Sequence, residues 1–136
     1  MKKKDLIKKA IEAKKKAYTP YSNFQVGAAV LTEDGKIYTG CNIEIASYSP
    51  TICAERTAIF KAVSEGSKKI QAIAVTGDAS PTYPCGVCRQ VIREFGKDAV
   101  IIIADSEDKF KEYSLDELLP FSFGPKDLNK EEKKGV

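Results

Sequence analysis

Three cysteines and one glutamate have the types and spacing of donors at a catalytic metal site. Cys53 stands two residues before Glu55, and Cys85 and Cys88 form a Cys-x-x-Cys pair that follows Pro84. Together they offer three thiolates and one carboxylate. Three protein ligands leave the fourth corner of a tetrahedral zinc site open for water, whereas a structural site fills all four corners. The open corner is where chemistry could take place.

Histidine is absent from the sequence, and four cysteines are present. Ser-His-Asp triads, Cys-His nucleophile pairs and His-based metal motifs are therefore excluded, and any zinc must be bound by sulfur or carboxylate. Cys41 could close the site as a fourth sulfur ligand. Because it lies at the end of a predicted hairpin, we interpret it as a small buried core residue. Cys85 and Cys88 could instead form a redox pair, but the earlier Cys-Ala-Glu motif favours metal binding.

The composition is that of a globular domain, with 43% hydrophobic and 30% charged residues. A chain of this length can bury a core without disulfides, so residues 1–136 are expected to form a single domain, with a frayed tail over 129–136. No stretch reads as a membrane span or a signal peptide, which predicts a cytoplasmic protein without a membrane partner. That compartment again favours metal binding over disulfides.

Lysines clustered near the start carry most of the net charge of +3. A basic patch could bind nucleic acid, but arginine is scarce there and no aromatic residue interleaves with the lysines before Tyr18. A platform that stacks nucleic-acid bases needs such aromatic residues. A solvated helix face is the better interpretation, so no nucleic-acid partner is expected.

The first third of the chain predicts a helix and a hairpin. Apolar residues at spacings of three and four indicate a helix over about 4–18, which Pro20 ends. A β-branched run and an Asp34-Gly35 turn signal predict a β-hairpin over 25–42. The polar stretch 42–52 favours a loop.

The rest of the chain alternates helices with buried strands. Cys53 is predicted to open one helix, ending near Gly66, and the Cys85/Cys88 pair leads into another that Gly96 stops. Strands are expected over 70–76, 100–103 and 110–113, followed by a short helix over 114–119 that begins with a capping box. The predicted fold is α/β, with three α/β/α layers around a central mixed five-stranded sheet.

Six blocks of the sequence together form a specific pattern: 18–22, 24–29, 40–44, 53–58, 84–90 and 117–120. Blocks in this order are far more specific than a lone Cys-x-x-Cys. On these blocks, over roughly residues 5–128, the sequence resembles the small cytidine deaminases of pyrimidine salvage.

The resemblance implies a cytidine-deaminase-like fold and one Zn²⁺ per subunit, with Cys53, Cys85 and Cys88 as metal ligands and Glu55 as the catalytic residue. The implied reaction is hydrolysis of cytidine and 2′-deoxycytidine to uridine and 2′-deoxyuridine by zinc-hydroxide attack at C4. Glu55 would shuttle the proton from the water to ring N3 and then to the leaving amine. An exposed helix carboxylate is the structural alternative for Glu55.

The substrate-binding residues also follow from the resemblance. The backbone carbonyl of Tyr83 and the backbone N–H of Ala54 are expected to meet the amino and O2 edges of cytosine. Asn42 and Glu44 would bind the ribose 3′-hydroxyl, although an Asn and a Glu that cap a turn are the ordinary alternative. Phe24 would line the pyrimidine pocket, unless it is ordinary core.

Charge around the zinc needs an offset, because three thiolates and a hydroxide leave the centre at net −2. Helix N-termini at Cys53 and at the Cys85/Cys88 pair would favour anionic sulfur. Arg56, and as a further candidate Arg89, could donate charged hydrogen bonds to ligand sulfurs. A surface ion pair is the alternative role for Arg56.

The family's short members are homotetramers, and here Phe123 matches the aromatic residue that reaches into a neighbouring subunit's active site. Tyr48 is a further candidate for that interface.

Two other enzyme functions are alternatives: a blasticidin-S-like cytosine nucleoside deaminase and an RNA or DNA cytosine editor. A structural zinc module that binds nucleic acid is the non-enzyme alternative; it predicts four-sulfur coordination through Cys41 and no role for Glu55.

Overall fold

The computed structural model describes residues 3–128, which form one five-stranded sheet between two layers of helices. The predicted frayed tail, 129–136, lies outside the described residues. The helices are α1 (Lys3–Lys14), α2 (Ala54–Ser64), α3 (Gly86–Phe95) and α4 (Leu115–Leu118), and a 3-10 turn spans Pro125–Leu128. The strands are β1 (Val26–Thr32), β2 (Ile37–Cys41), β3 (Ile70–Gly77), β4 (Val100–Ala104) and β5 (Phe110–Ser114).

The sheet is mixed, as predicted. Its strand order is β2-β1-β3-β4-β5, with β3 and β4 parallel and all other neighbours antiparallel. The β1–β2 hairpin turns at Gly35, whose φ of 86° lies in the left-handed region that favours glycine. The predicted α/β architecture is confirmed.

Side chains of successive strand residues point to opposite faces of the sheet, and each face has its own core. On β4, Ile101 and Ile103 pack under α2 and α3, whereas Ile102 and Ala104 pack under α1. The α1 core also includes Leu6, Ile7, Ala10, Ala29, Leu31 and Ala74. The larger core includes Ala58, Ile59, Ile73, Val75, Ile92 and Leu115. Because α2 and α3 pack on the same face, their N-termini lie on the same side of the sheet.

The first helix is shorter than the predicted 4–18, because α1 ends at Lys14. Tyr18 instead extends the sheet region: its N–H donates to the carbonyl of Asn42 at 3.0 Å, and its own carbonyl accepts from Glu44 N at 2.9 Å. Within the predicted 42–52 loop, Ile43 also forms an antiparallel bridge with Ile52. Backbone pairing therefore overrides the helical pattern after Lys14.

None of the helices described within residues 3–128 has the length and apolar character that crossing a bilayer requires.

Candidate metal centre and active site

Three sulfurs meet where the N-termini of α2 and α3 lie side by side. Cys53 is the N-cap of α2, Cys85 is the N-cap of α3, and Cys88 lies in the first turn of α3. Their Sγ atoms all lie within 4.8 Å of one another, and those of Cys53 and Cys85 are 3.6 Å apart. Zinc–sulfur bonds of about 2.3 Å in tetrahedral geometry place sulfurs about 3.8 Å apart. The cluster therefore fits one zinc ion held by three cysteines.

Helix starts favour negative charge on these sulfurs, because the first N–H groups of a helix have no partner within it. The N–H of Cys88 points to Cys85 Sγ at 3.5 Å. Within residues 3–128, the cluster contains these three cysteines and leaves out Cys41, which lies on β2 opposite Gly27. Cys41 is partly exposed, which corrects the prediction that it is a buried core residue. A site of three sulfurs keeps its fourth corner open.

Arg56 neutralises part of this charge, since its Nη2 donates to Cys53 Sγ at 3.4 Å. Hydrogen bonds from Cys88 and then from Arg56 lower the pKa of the Cys53 thiol to about 5, against the opposing effect of burial. The hydrogen bond to Cys53 and burial raise the pKa of Cys88. The hydrogen bond that Arg56 itself donates to Cys53 is the main reason why the pKa of Arg56 is raised. Negative charge in the cluster is thus centred on Cys53, beside a guanidinium.

Among the hydrogen bonds described within residues 3–128, those of Arg89 go to backbone carbonyls and not to a sulfur, which corrects the suggested hydrogen bond to a metal ligand. Its Nε donates to the carbonyl of Pro84 at 2.8 Å and its Nη1 to the carbonyl of Leu118 at 2.7 Å. Two backbone carbonyls thus engage the guanidinium. Arg89 therefore acts on the loop that carries Cys85.

Glu55 lies in the first turn of α2 and is only 3% exposed, so it is not an exposed helix carboxylate. Burial raises the pKa of Glu55 to about 7, and the negative charge of Cys53 adds to the shift. The negative charge of the Glu55 carboxylate in turn contributes to the raised pKa of Cys88. A carboxyl group whose pKa lies near neutrality can both accept and return a proton.

Asn42 and Glu44 run beside the start of α2, because the residue between them pairs with Ile52, directly before Cys53. Asn42 accepts from Val26 N through Oδ1 and donates to the carbonyl of Phe24 through Nδ2, both at 2.9 Å. Glu44 accepts the backbone N–H groups of residues 21 and 22 at 3.1 Å, together with the Ser22 hydroxyl. Both side chains fix the segment that carries Phe24.

The structure spreads the other predicted substrate residues over several elements. Ala54 is fully buried at the start of α2, and Phe24 is 36% exposed beside Asn42. Tyr83 turns its side chain to β5, where its hydroxyl lies 2.9 Å from that of Tyr113. Phe123 is exposed, and its carbonyl accepts from the side chain of Gln90 at 2.8 Å.

Sequence reasoning missed the residues that hold this framework. Ser22, whose hydroxyl bonds Glu44, lies in a block that carries the family resemblance, which was a usable signal. Arg93 is only 4% exposed, and its Nε donates to Ser122 Oγ at 2.7 Å. A Cβ atom at Gly124 would lie 2.4 Å from Arg93 Nη2, so the glycine admits the arginine. Nothing in the local pattern distinguished Arg93 from a surface residue of α3.

Comparison with known proteins agrees with this site. Residues 1–104 match the family model described as the cytidine and deoxycytidylate deaminase zinc-binding region. The chain is 50% identical over 126 residues to a cytidine deaminase of Halalkalibacterium halodurans, which covers 91% of this chain and 96% of that protein. The crystal structure of cytidine deaminase from Burkholderia pseudomallei superposes with a TM-score of 0.86 at 46% identity, covering 90% of this chain and 100% of that one.

The cytidine deaminase structure from Mycobacterium tuberculosis gives a TM-score of 0.77 at 37% identity, covering 88% of this chain and 95% of that one. The sulfur cluster, the sheet order and these similarities agree on one assignment. The chain belongs to the cytidine and deoxycytidylate deaminase family of zinc enzymes.

Proposed function

We propose that this chain hydrolyses cytidine and 2′-deoxycytidine to uridine and 2′-deoxyuridine, with release of ammonia. The observation that carries the proposal is the three-sulfur cluster with buried Glu55 beside it, in a chain of this family. Replacing the amino group at C4 of cytosine needs a hydroxide, a proton for ring N3 and a proton for the departing nitrogen. The proposed site would supply a group for each need.

Cys53, Cys85 and Cys88 would hold the zinc, which when bound lowers the pKa of a water molecule and so provides the nucleophile. Glu55 is buried, and the negative charge of Cys53 acts on its carboxyl group. This carboxylate would receive the proton of that water. Glu55 would give that proton to N3, where it stays, and would then carry a second proton, from the hydroxyl newly bonded to C4, to the amino group, which departs as ammonia when the C4–N bond breaks. One carboxylate thus acts first as base and then as acid. Burial keeps competing water away from Glu55.

Arg56 and the two helix starts would balance the charge of the three thiolates. The guanidinium stays cationic beside Cys53, and the N–H groups at the N-termini of α2 and α3 add partial positive charge. This balance makes ionisation of a water at the fourth corner less unfavourable. Arg56 therefore tunes the metal centre in this mechanism.

Cytosine recognition would rest on the backbone, through the Tyr83 carbonyl and the Ala54 N–H. Glu44 would accept a hydrogen bond from the ribose 3′-hydroxyl. A carboxylate has about four acceptor sites, and the three donors of the chain leave one of them for the substrate. Asn42 and Phe24 would complete the wall of the nucleoside-binding site. No predicted residue reads the 2′-hydroxyl, so both ribo- and deoxyribonucleosides are expected to react.

We further propose a homotetramer of single-domain chains, 1–136, that works in cytoplasmic pyrimidine salvage with one zinc per subunit. Large aromatic side chains lie on the surface of the isolated chain: Tyr48 is 77% exposed and Phe123 57% exposed. A subunit interface would cover them, and Phe123 would then reach a neighbour's active site. No nucleic-acid or membrane partner is proposed.

Two variants test the reaction against its alternatives. We expect Glu55→Ala to retain about one zinc per chain. Its rate of cytidine deamination, followed by the loss of cytidine absorbance and by ammonia release, should fall about 10²–10⁴-fold. Cys41→Ala should keep both zinc and most of the activity, as a matched cysteine outside the cluster. An active Glu55→Ala protein, or loss of zinc from Cys41→Ala, would contradict the mechanism and favour the structural zinc module.

Substrate choice separates the other deaminase readings. Cytidine and deoxycytidine are expected to react, whereas blasticidin S and a cytosine within single-stranded RNA or DNA are expected to react far more slowly. Preferential turnover of blasticidin S or of an oligonucleotide would replace the proposed substrate while leaving the zinc chemistry intact.

A further inference from the structure

The loop between β3 and α3 is fastened to the far edge of the sheet through Tyr83. The Tyr83 hydroxyl lies 2.9 Å from that of Tyr113 on β5. Their rings meet edge to face, with centroids 5.7 Å apart and planes at 69°. Such aromatic pairs add stabilisation beyond their buried area. The side chain of Tyr83 is thus used for fastening, although its backbone carbonyl belongs to the proposed cytosine site.

A second contact fastens the same loop one residue further on. Arg89 donates to the Pro84 carbonyl at 2.8 Å and to the Leu118 carbonyl at 2.7 Å, so its guanidinium joins the loop to α4. Leu118 is the last residue of α4, where carbonyls lack partners within the helix. Hydrogen bonds from a charged donor are stronger than neutral ones. The Pro84 peptide, directly before Cys85, is therefore anchored to a different element.

The anchoring element, β5–α4 (Phe110–Leu118), is itself well fixed. All five residues of β5 pair with β4, and a complete capping box joins Ser114 to Glu117 at the junction with α4. Leu115 is only 2% exposed in the larger core. The segment can hence serve as a rigid frame for the loop.

We propose that β5–α4 positions the carbonyl of Tyr83 for the 4-amino group of cytosine, with Tyr113 and Arg89 as positioning residues. The two contacts lie on either side of the Tyr83–Pro84 bond, so together they set the direction in which this carbonyl points. The inference rests on the proposed function for the identity of the substrate. The fastening of the loop does not depend on that function.

The proposal makes a prediction that depends on the ligand. Cytidine offers its amino group to the carbonyl, whereas the ribonucleoside of pyrimidin-2-one lacks that group and cannot use the contact. Loss of positioning should therefore weaken the binding of cytidine and leave the binding of the pyrimidin-2-one ribonucleoside nearly unchanged. A general loosening of the site would weaken both.

The experiment uses the zinc-loaded full chain in two single variants, Arg89→Lys and Tyr113→Phe. A third single variant, Lys111→Ala, is the control. Lys111 lies on the same strand and is exposed. We expect the KM for cytidine to rise about 10-fold in Arg89→Lys and about 3-fold in Tyr113→Phe, as for the loss of one hydrogen bond. Binding of the pyrimidin-2-one ribonucleoside, measured by calorimetry, should change less than about twofold, and the control should match the wild type in every measurement.

Amide hydrogen exchange of the peptide covering residues 79–86 provides a readout without turnover. Faster exchange in both positioning variants and not in Lys111→Ala supports the fastening. The proposal is overturned if amide exchange in both variants is as slow as in the wild type, or if the binding of both ligands is weakened equally. Failure of the wild type to deaminate cytidine would instead refute the proposed function, and the exchange result would then decide the fastening alone.

Discussion

Arg56 Nη2 lies 3.4 Å from Cys53 Sγ, three residues earlier at the start of the same helix. The relationship places a permanent cation against a metal-ligand sulfur within one helical turn. The Nε of Arg56 is buried without a hydrogen-bond partner among residues 3–128, whereas Nη2 donates to the Cys53 sulfur. A surface ion pair, the alternative role for Arg56, is not the arrangement found.

Replacing Arg56 with alanine should weaken zinc binding by about 10–100-fold, the usual effect of removing a group that supports a metal ligand. The hydrogen bond from Cys88 and then that from the Arg56 guanidinium lower the pKa of Cys53. Removing the guanidinium therefore raises that pKa and makes the loss of affinity larger at pH 6 than at pH 8. Competition with a chelator measures both effects. Lys61→Ala, on the same helix, is the control. Unchanged affinity at both pH values would refute the tuning role.

Zinc should protect three of the four cysteines from a thiol reagent. Cys41 lies outside the cluster and is expected to react with or without the metal, whereas chelation should release the other three. Because the metal binds the folded chain, chelation should also lower the Tm, and added zinc should restore it. Counting modified thiols by mass spectrometry checks the prediction, and protection of all four would show that Cys41 closes the site.

Gly40 permits the close approach of β2 to α2, so alanine there should be destabilising. A Cβ atom would lie 2.5 Å from Ala58 N and 2.6 Å from the Ala54 carbonyl, both backbone atoms that cannot move independently of α2. We expect a loss of about 1–3 kcal/mol in the free energy of unfolding, measured in urea. Gly86→Ala is the matched control, since open space surrounds that position. Equal stability of the two variants would contradict the packing argument.

Asp78 ties the segment before β1 to α1 and gives a prediction about pH. Its carboxylate accepts from Gln25 N at 2.6 Å and pairs with Lys14 at 2.7 Å, and these contacts hold its pKa below the usual range. A lowered pKa means that the carboxylate stabilises the fold above the unfolded value of about 3.9, and that this contribution is lost as the pH falls through the folded value.

We therefore expect Asp78→Asn to be less stable than the wild type at pH 7 in urea unfolding, with the difference shrinking as the pH falls below about 4. Asp98→Asn, an exposed carboxylate, should differ little from the wild type. A difference for Asp78→Asn that persists at the lowest pH would show that charge is not its cause.

Local signals in the sequence predicted the elements that local interactions build. The capping box at Ser114 and the turn at Gly35 depend on neighbouring residues, and both are where the pattern placed them. The end of α1 was predicted too late, because the backbone of Tyr18 pairs with a segment far along the chain. The partners of Arg89 escaped prediction for the same reason, since Leu118 is 29 residues away.

The sequence by itself determined the chemistry of the donors: without histidine, zinc ligands can only be sulfur or carboxylate, and the helix starts at Cys53 and Cys85 follow from local pattern. Only the tertiary structure decided which sulfurs meet. It brings Cys53 and Cys85, 32 residues apart, to 3.6 Å and leaves Cys41 outside the cluster. Strand order and the packing of two helices on one sheet face set these distances, and they depend on contacts between residues far apart in the chain.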